Sequence, residues 1–253
     1  MINYPKTSFL KRESAPDLAY SHYQGGDILP CVMFLGGFRS DMQGTKALYL
    51  EEQCQARGQS FLRFDYRGHG QSEGAFEESC ISDWAQDAMD ILNYCMADPV
   101  ILVGSSMGGW ISLLLALKRP QSVRSIIGLA AAPDFTSWIE AEMSENQQNM
   151  MKTQGYFELP NAYDDTPYVI TRKLIEDGRR NIMLDKELDI RVPVRLIQGR
   201  KDDDVPWQTA ERIKKVLSTP DVKITYLAEA DHRLSAPDQL AVIGHVLAEL
   251  SNQ

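Results

Sequence analysis

The chain is sparing in the residues that build metal and disulfide sites: it has four histidines and four cysteines, the latter at positions 31, 54, 80 and 95. The cysteines are scattered and form no CxxC pair, so they read as small apolar side chains kept reduced in the cytosol. No window approaches about 18 continuous apolar residues, and no membrane span is expected. Positive charge is also short. Against 35 Asp and Glu stand 26 Lys and Arg, a net charge of -9 without a basic tail or stripe, so nucleic acid is not an expected partner. The opening MINYPKTSFLKRES has basic residues but no long apolar stretch or small-residue cleavage site, which predicts neither a secretory signal nor a transit peptide and a cytoplasmic location.

What the chain does have is enough apolar material for one substantial core, 43% of 253 residues. Residues 18–24 alternate weakly as an early strand, and PCVMFLGG at 30–37 is an apolar run stopped by glycines, the pattern of a buried strand. Helix is predicted over 45–58, then strand and glycine-rich loop in SFLRFDYRGHG, helix at 82–95, strand at 99–104, helix in WISLLLALKRP up to Pro120, and strand at 123–132. Single helices between strands imply parallel pairing and a three-layer α/β architecture with a mostly parallel central sheet. The rhythm breaks from Pro133 to about Asp189, where two amphipathic helical patches, 136–153 and 167–180, flank a turn-rich aromatic middle and no sheet strand is expected. It resumes with strand 193–199, helix 206–217, strand 222–228 and helix 237–250. The expected division is a core of residues 1–132 and 190–253 and a helical lid of residues 133–189 over the sheet's carboxyl edge, where ligands of open α/β sheets bind.

The strongest local signal is ILVGSSMGGW, residues 101–110. Gly104, Ser106 and Gly108 spell G-x-S-x-G between a buried strand and an apolar helix, the setting in which a strained, exposed serine serves as nucleophile. Ser105 is the rival hydroxyl but lacks symmetric glycine flanks. Such a serine needs a base and a fixed negative charge behind it. His22 sits in an early strand, His245 on the polar side of the last helix, and His69 precedes the serine and reads as a loop brace. His232, in the polar segment after the last strand, is the expected base. The acid is expected in KDDDVPW, where G-x-x-D-x-x-V-P spacing favours Asp202 and leaves Asp203 next. Asp203 and Asp204 would lead into a helix begun at Pro206. Two backbone N–H groups are expected to form an oxyanion hole, those of Met107 and of Phe38 in LGGFRSDM.

These segments, with MQGTKALYLEE at 42–52, RFDYRGHGQSEG at 63–74 and DHR at 231–233, resemble serine hydrolases of the α/β-hydrolase superfamily. More narrowly, they resemble the mitochondrial α/β-hydrolase-domain palmitoyl-protein thioesterases and acyl-glucuronide esterases. The resemblance implies Ser106 as nucleophile, Asp202 as acid, His232 as base and 133–189 as a lid. It implies hydrolysis of a small-molecule ester or thioester, or of an S-acylated protein, with neither metal nor organic cofactor. Lid residues Trp138, Met150, Met151, Tyr156 and Phe157, with Met143, Tyr163 and Tyr168, could wall an acyl chain or simply glue the lid to the sheet. Arg39, Arg67 and Arg233 are conceivable partners for a substrate carboxylate. A general carboxylesterase, a peptidase or a carbon–carbon hydrolase would use the same triad. A dehalogenase is disfavoured because its elbow would carry Asp. A degenerate hydrolase fold used only for binding is opposed by three intact triad members.

Overall fold

A computed structural model describes residues 4–26, 28–96, 99–160 and 167–253. Tyr163, one of the candidate lid aromatics, lies outside them. The strands are β1 (Ser8–Leu10), β2 (Leu18–Tyr23), β3 (Val32–Leu35), β4 (Phe61–Phe64), β5 (Val100–Ser105), β6 (Val123–Leu129), β7 (Tyr156–Leu159), β8 (Tyr168–Thr171), β9 (Val194–Gly199) and β10 (Val222–Leu227). The helices are α1 (Thr45–Ala56), α2 (Ile81–Cys95), α3 (Met107–Lys118), α4 (Phe135–Ala141), α5 (Glu145–Thr153), α6 (Arg172–Arg180), α7 (Thr209–Val216) and α8 (Pro237–Ser251). Among the described residues, eight strands form the main sheet in the order β1-β2-β4-β3-β5-β6-β9-β10, parallel from β4 to β10. β1 and β2 join it antiparallel. The expected three-layer, mostly parallel α/β architecture is the one observed.

The central strands β3 and β5 are buried along their whole length because both faces are covered, and successive side chains alternate between two cores. Val32 and Phe34, Ile101 and Val103, and Ile127 point to one side, against Ala47 and Leu50 of α1 and Ile243 and Leu247 of α8. Met33 and Leu35, Leu102 and Ile126 point to the other, against Trp84 of α2 and Trp110 of α3. Full burial of such a large side chain stabilises the fold by about 2–3 kcal/mol. Helix α3 is buried continuously from Met107 to Ala116, which explains why it is apolar all round and lacks an amphipathic stripe.

Several expectations need correction. The short edge strand β1 was not foreseen; its three residues offer too little alternation to detect. The segment 133–189 is not purely helical: β7 and β8 pair as a separate antiparallel ribbon, with Phe157 opposite Ile170, both about 1% exposed, on its inner face. The helix expected over 136–153 is two, because Ser144 starts a new one with a reciprocal capping box to Gln147. The helix expected from 167 begins at Arg172, where the Thr171 hydroxyl caps the Leu174 N–H at 3.1 Å. Helix α7 starts at Thr209 and not at Pro206; the intervening turn bonds Thr209 N to the Pro206 carbonyl at 2.8 Å.

The inserted segment is fastened to the rest by buried polar groups. Asp134 accepts from Met183 N and Leu184 N, both at 2.9 Å, joining its two ends. Asp177 of α6 accepts the N–H and hydroxyl of Ser82 on α2, each at 2.8 Å. Gly178 passes so close to Thr136 that a Cβ there would stand 2.1 Å from the threonine hydroxyl.

Candidate active site

At the carboxyl end of β5 the chain turns straight into α3, and the turn residue, Ser106, has φ 53° and ψ -117°. That conformation is unfavourable for a residue with a Cβ, by roughly 1–3 kcal/mol, and persists only where the surroundings impose it. They do so here. Ser106 N donates to the Leu129 carbonyl at 2.9 Å, while its own carbonyl accepts from Gly109 N at 2.9 Å and Ala132 N at 3.0 Å. The flanking glycines are dictated by space: a Cβ on Gly104 would lie 2.3 Å from the Gly108 carbonyl oxygen, and one on Gly108 2.1 Å from that of Leu35. Ser105 is buried in β5.

The loop after β9 brings Asp202 to the same edge, and the loop after β10 brings His232. The Ser106 Oγ stands 3.1 Å from His232 Nε2, and His232 Nδ1 stands 3.0 Å from Asp202 Oδ2. With a carboxylate at Nδ1, the proton belongs on that nitrogen, leaving Nε2 free to accept from the serine. Asp202, with no exposed side-chain surface, also accepts Gln198 Nε2 at 2.8 Å on Oδ2, and on Oδ1 the N–H groups of Asp204 at 3.0 Å and Val205 at 2.8 Å. Asp203 does not share this position. Asp202, Asp204 and His232 place ligand-type atoms within 4.8 Å of one another. With both Asp202 oxygens and His232 Nδ1 engaged in hydrogen bonds, the arrangement is that of an oriented imidazole.

The loop after β3 lies against the serine: a Cβ on Gly37 would be 3.4 Å from Ser106 Cβ. Gly37 O accepts from Ser40 N at 3.1 Å, closing a tight turn in which Arg39 has φ 55°. Among the described residues, neither Phe38 N–H nor Met107 N–H has an acceptor; Met107 directly follows Ser106, and Phe38 directly follows Gly37, which lies against it. The Phe38 ring packs edge-on against Phe76, Trp84 and Phe135 and tilts against Tyr168, at centroid distances of 4.8–5.8 Å. The loop after β3 is thus joined to α4 and β8 of the inserted segment.

The other candidates fall elsewhere. Phe157 is buried in the main core and Tyr156 is exposed, whereas Met150 and Met151 are half-buried against that core and Trp138 is half-buried on α4. Phe135, which does reach the Phe38 loop, was missed. Arg67 is committed to Asp87 and Asp83; Arg39 lies over the Phe76 ring at 4.9 Å, with Glu77 at 3.9 Å. His22 is half-buried in β2 and His245 exposed on α8. Three supporting residues also escaped sequence reasoning. Gln198 is one. Lys46 donates to the carbonyl of Arg233, next to His232, and burial pushes its ammonium down to about 8. Asp65 receives Met42 N at 2.6 Å and Gln71 N at 2.8 Å, and burial raises its carboxyl.

A nucleophile-type serine on a strand-to-helix turn, met by a histidine and an acid from two later strands of a parallel sheet, defines a serine hydrolase of the α/β type. The chain belongs to the alpha/beta hydrolase fold family, which matches residues 36–183. Within it the chain is related to palmitoyl-protein thioesterase ABHD10, mitochondrial: it is 34% identical to the Bos taurus protein over 246 residues, 96% of this chain and 79% of that one. The Rattus norvegicus protein is 36% identical over 90% of this chain and 76% of its own. Among solved structures, a candidate hydrolase from Agrobacterium vitis S4 superposes with a TM-score of 0.93 at 36% identity, covering 99% of this chain and all of the other. Mouse alpha/beta hydrolase domain-containing protein 10 gives 0.90 at 33%, covering 97% and 98%.

The expected cytoplasmic location is corrected by these relatives, whose names place them in mitochondria. The four cysteines are free, which does not single out the cytosol.

Proposed function

We propose that this hydrolase cleaves acyl thioesters and activated oxygen esters through an acyl-enzyme on Ser106. The observation that carries the reading is the continuous run from Ser106 Oγ through His232 to Asp202, at 3.1 and 3.0 Å. Ser106 attacks the acyl carbonyl as His232 Nε2 takes its proton, and Asp202 holds the imidazole and stabilises its charged form. The Phe38 and Met107 amides receive the developing oxyanion, an effect worth about 3–4 kcal/mol per donor in such sites. The thiol or alcohol leaves with the proton from His232, and water then attacks the acyl-enzyme by the same base.

Residues 133–189 serve as the lid in this reading, with Phe135 and Tyr168 against the Phe38 ring and Met150 and Met151 against the main core. Relationship to a palmitoyl-protein thioesterase favours an S-acylated protein or small acyl thioester as substrate. The test is a kinetic panel of acyl thioesters of increasing chain length, acyl glucuronides and p-nitrophenyl esters. The thioester reading expects kcat/KM to rise with chain length and to exceed that for matched oxygen esters. A flat series, equal for both, would instead make the chain a general carboxylesterase. Retention of turnover and fluorophosphonate labelling by S106A would sink the acyl-enzyme itself.

A further inference from the structure

His69 lies outside the triad, is 4% exposed and is enclosed by the rings of Tyr66, Phe76 and Trp84 at 5.6, 5.1 and 5.3 Å. Both its nitrogens are in use. Nδ1 faces the Arg67 carbonyl at 3.1 Å, and a carbonyl only accepts, so Nδ1 carries the proton. Nε2 is then a bare acceptor and receives the backbone N–H of Arg39 at 3.2 Å. This fixes one neutral tautomer.

The amide it captures belongs to the central peptide of the Gly37–Ser40 turn. A positive φ at the third position is the mark of a type II turn, a place normally held by glycine and here by arginine. A type I turn spans the same four residues with that peptide flipped and φ negative. Nothing in the local sequence favours the type II form at Arg39. The acceptor at His69 Nε2 does.

We propose that His69 is a positioning residue of the oxyanion loop: its Nε2 holds the Phe38–Arg39 peptide in the type II orientation and so pins the turn whose second residue, Phe38, carries the N–H read as an oxyanion donor. The inference rests on the reading of Phe38 N–H as an oxyanion donor. Its action is on the transition state, because the tetrahedral oxygen needs that amide and a bound ester in its ground state scarcely does.

The experiment compares H69Q, H69N and H69L with F38P by steady-state kinetics and by the affinity of an aryl boronate, whose serine adduct is tetrahedral and anionic. Gln can carry an acceptor to the Nε2 position; Asn reaches only the Nδ1 position, and Leu offers neither. The expected result is a fall in kcat of about 10–100-fold for H69N and H69L with KM nearly unchanged, a parallel loss of boronate affinity, and a smaller loss for H69Q. Adding R39G, which accepts positive φ without strain, restores part of the loss in H69N. If H69N and H69L do not fold, H69Q against H69Q/R39G makes the same comparison. F38P deletes the donor at a turn position that suits proline and is expected to lose about 100-fold in both readouts. Wild-type kcat and boronate affinity in all His69 variants, with F38P impaired, would overturn the role of His69 alone. Wild-type behaviour of F38P would overturn the oxyanion reading beneath it.

Discussion

Gln198 and His232 donate to the same oxygen of Asp202, at 2.8 and 3.0 Å. Gln198 is the penultimate residue of β9 and 2% exposed, so the acid is held by the sheet itself as well as by its own loop. A hydrogen bond to a charged acceptor contributes about 1.5–3 kcal/mol. Q198M is therefore expected to lower kcat about tenfold or more with little change in fold. Q198E, which sets a second carboxylate against Asp202, should lower it further. Steady-state kinetics with circular dichroism as a fold check decide it.

The three consecutive aspartates are not equivalent. D202N keeps the shape but removes the charge and favours the wrong histidine tautomer, an effect of about 10^4-fold in kcat in triads of this kind. D203N and D204N should remain within a few fold, since Asp204 supplies Asp202 with a backbone N–H that the substitution leaves in place. A collapse confined to D203N would reassign the acid.

The glycines of the elbow answer to sterics. In G108A the new methyl would stand 2.1 Å from the Leu35 carbonyl oxygen, in backbone that cannot retreat without parting β3 from α3. Urea denaturation should show a loss of at least about 3 kcal/mol, or no folded protein. G26A, whose Cβ meets nothing nearer than 3.8 Å, is the matching control and should stay within about 1 kcal/mol.

Acid should weaken the fold through His69. Burial pushes its pKa down from 6.5 to about 4, with the Arg39 charge a smaller cause in the same direction. Between those values the unfolded chain binds a proton that the native protein refuses, so stability rises with pH there. The contribution is complete above pH 6.5 and is lost as pH falls through 6.5 towards 4, to the extent of about 3 kcal/mol. Denaturation of H69L across pH 4–7 should show a shallower slope than wild type by that amount; equal slopes would assign the acid lability to other groups.

The parallel core was legible because its strands are buried on both faces and its connections are single helices, a pattern that survives in one dimension. The elbow was legible for a related reason: Gly104 is fixed by Gly108 and Ser112 within a few residues of the serine, so the spacing shows in the sequence even though Gly108 itself answers to the Leu35 carbonyl of a neighbouring strand. Tertiary partners were not. Gln198 looks like any polar residue closing a strand, and only the return of the Asp202 loop over it reveals its use. Phe135 gave no sign that it would meet Phe38, some hundred positions earlier. The ribbon of β7 and β8 escaped because each strand is four residues long, too short for alternation to outweigh the helical pattern around it. His69 was readable as a loop brace, but which loop it braces depends on the packing of β3 beside β4.

The insertion leaves the sheet after β6 and re-enters at β9, and these strands are direct neighbours, with Ile126 paired to Val194 and Leu129 to Ile197. Its two stems are therefore side by side, tied further by Asp134 to Met183 and Leu184. Closing a longer or shorter excursion between fixed neighbouring ends changes the entropy only logarithmically with length. The segment is built like a cassette: its length and content can change while β5, β9 and β10 keep their register, and under the proposed role as a lid such exchange would bring new substrates within reach without rebuilding the strands beneath.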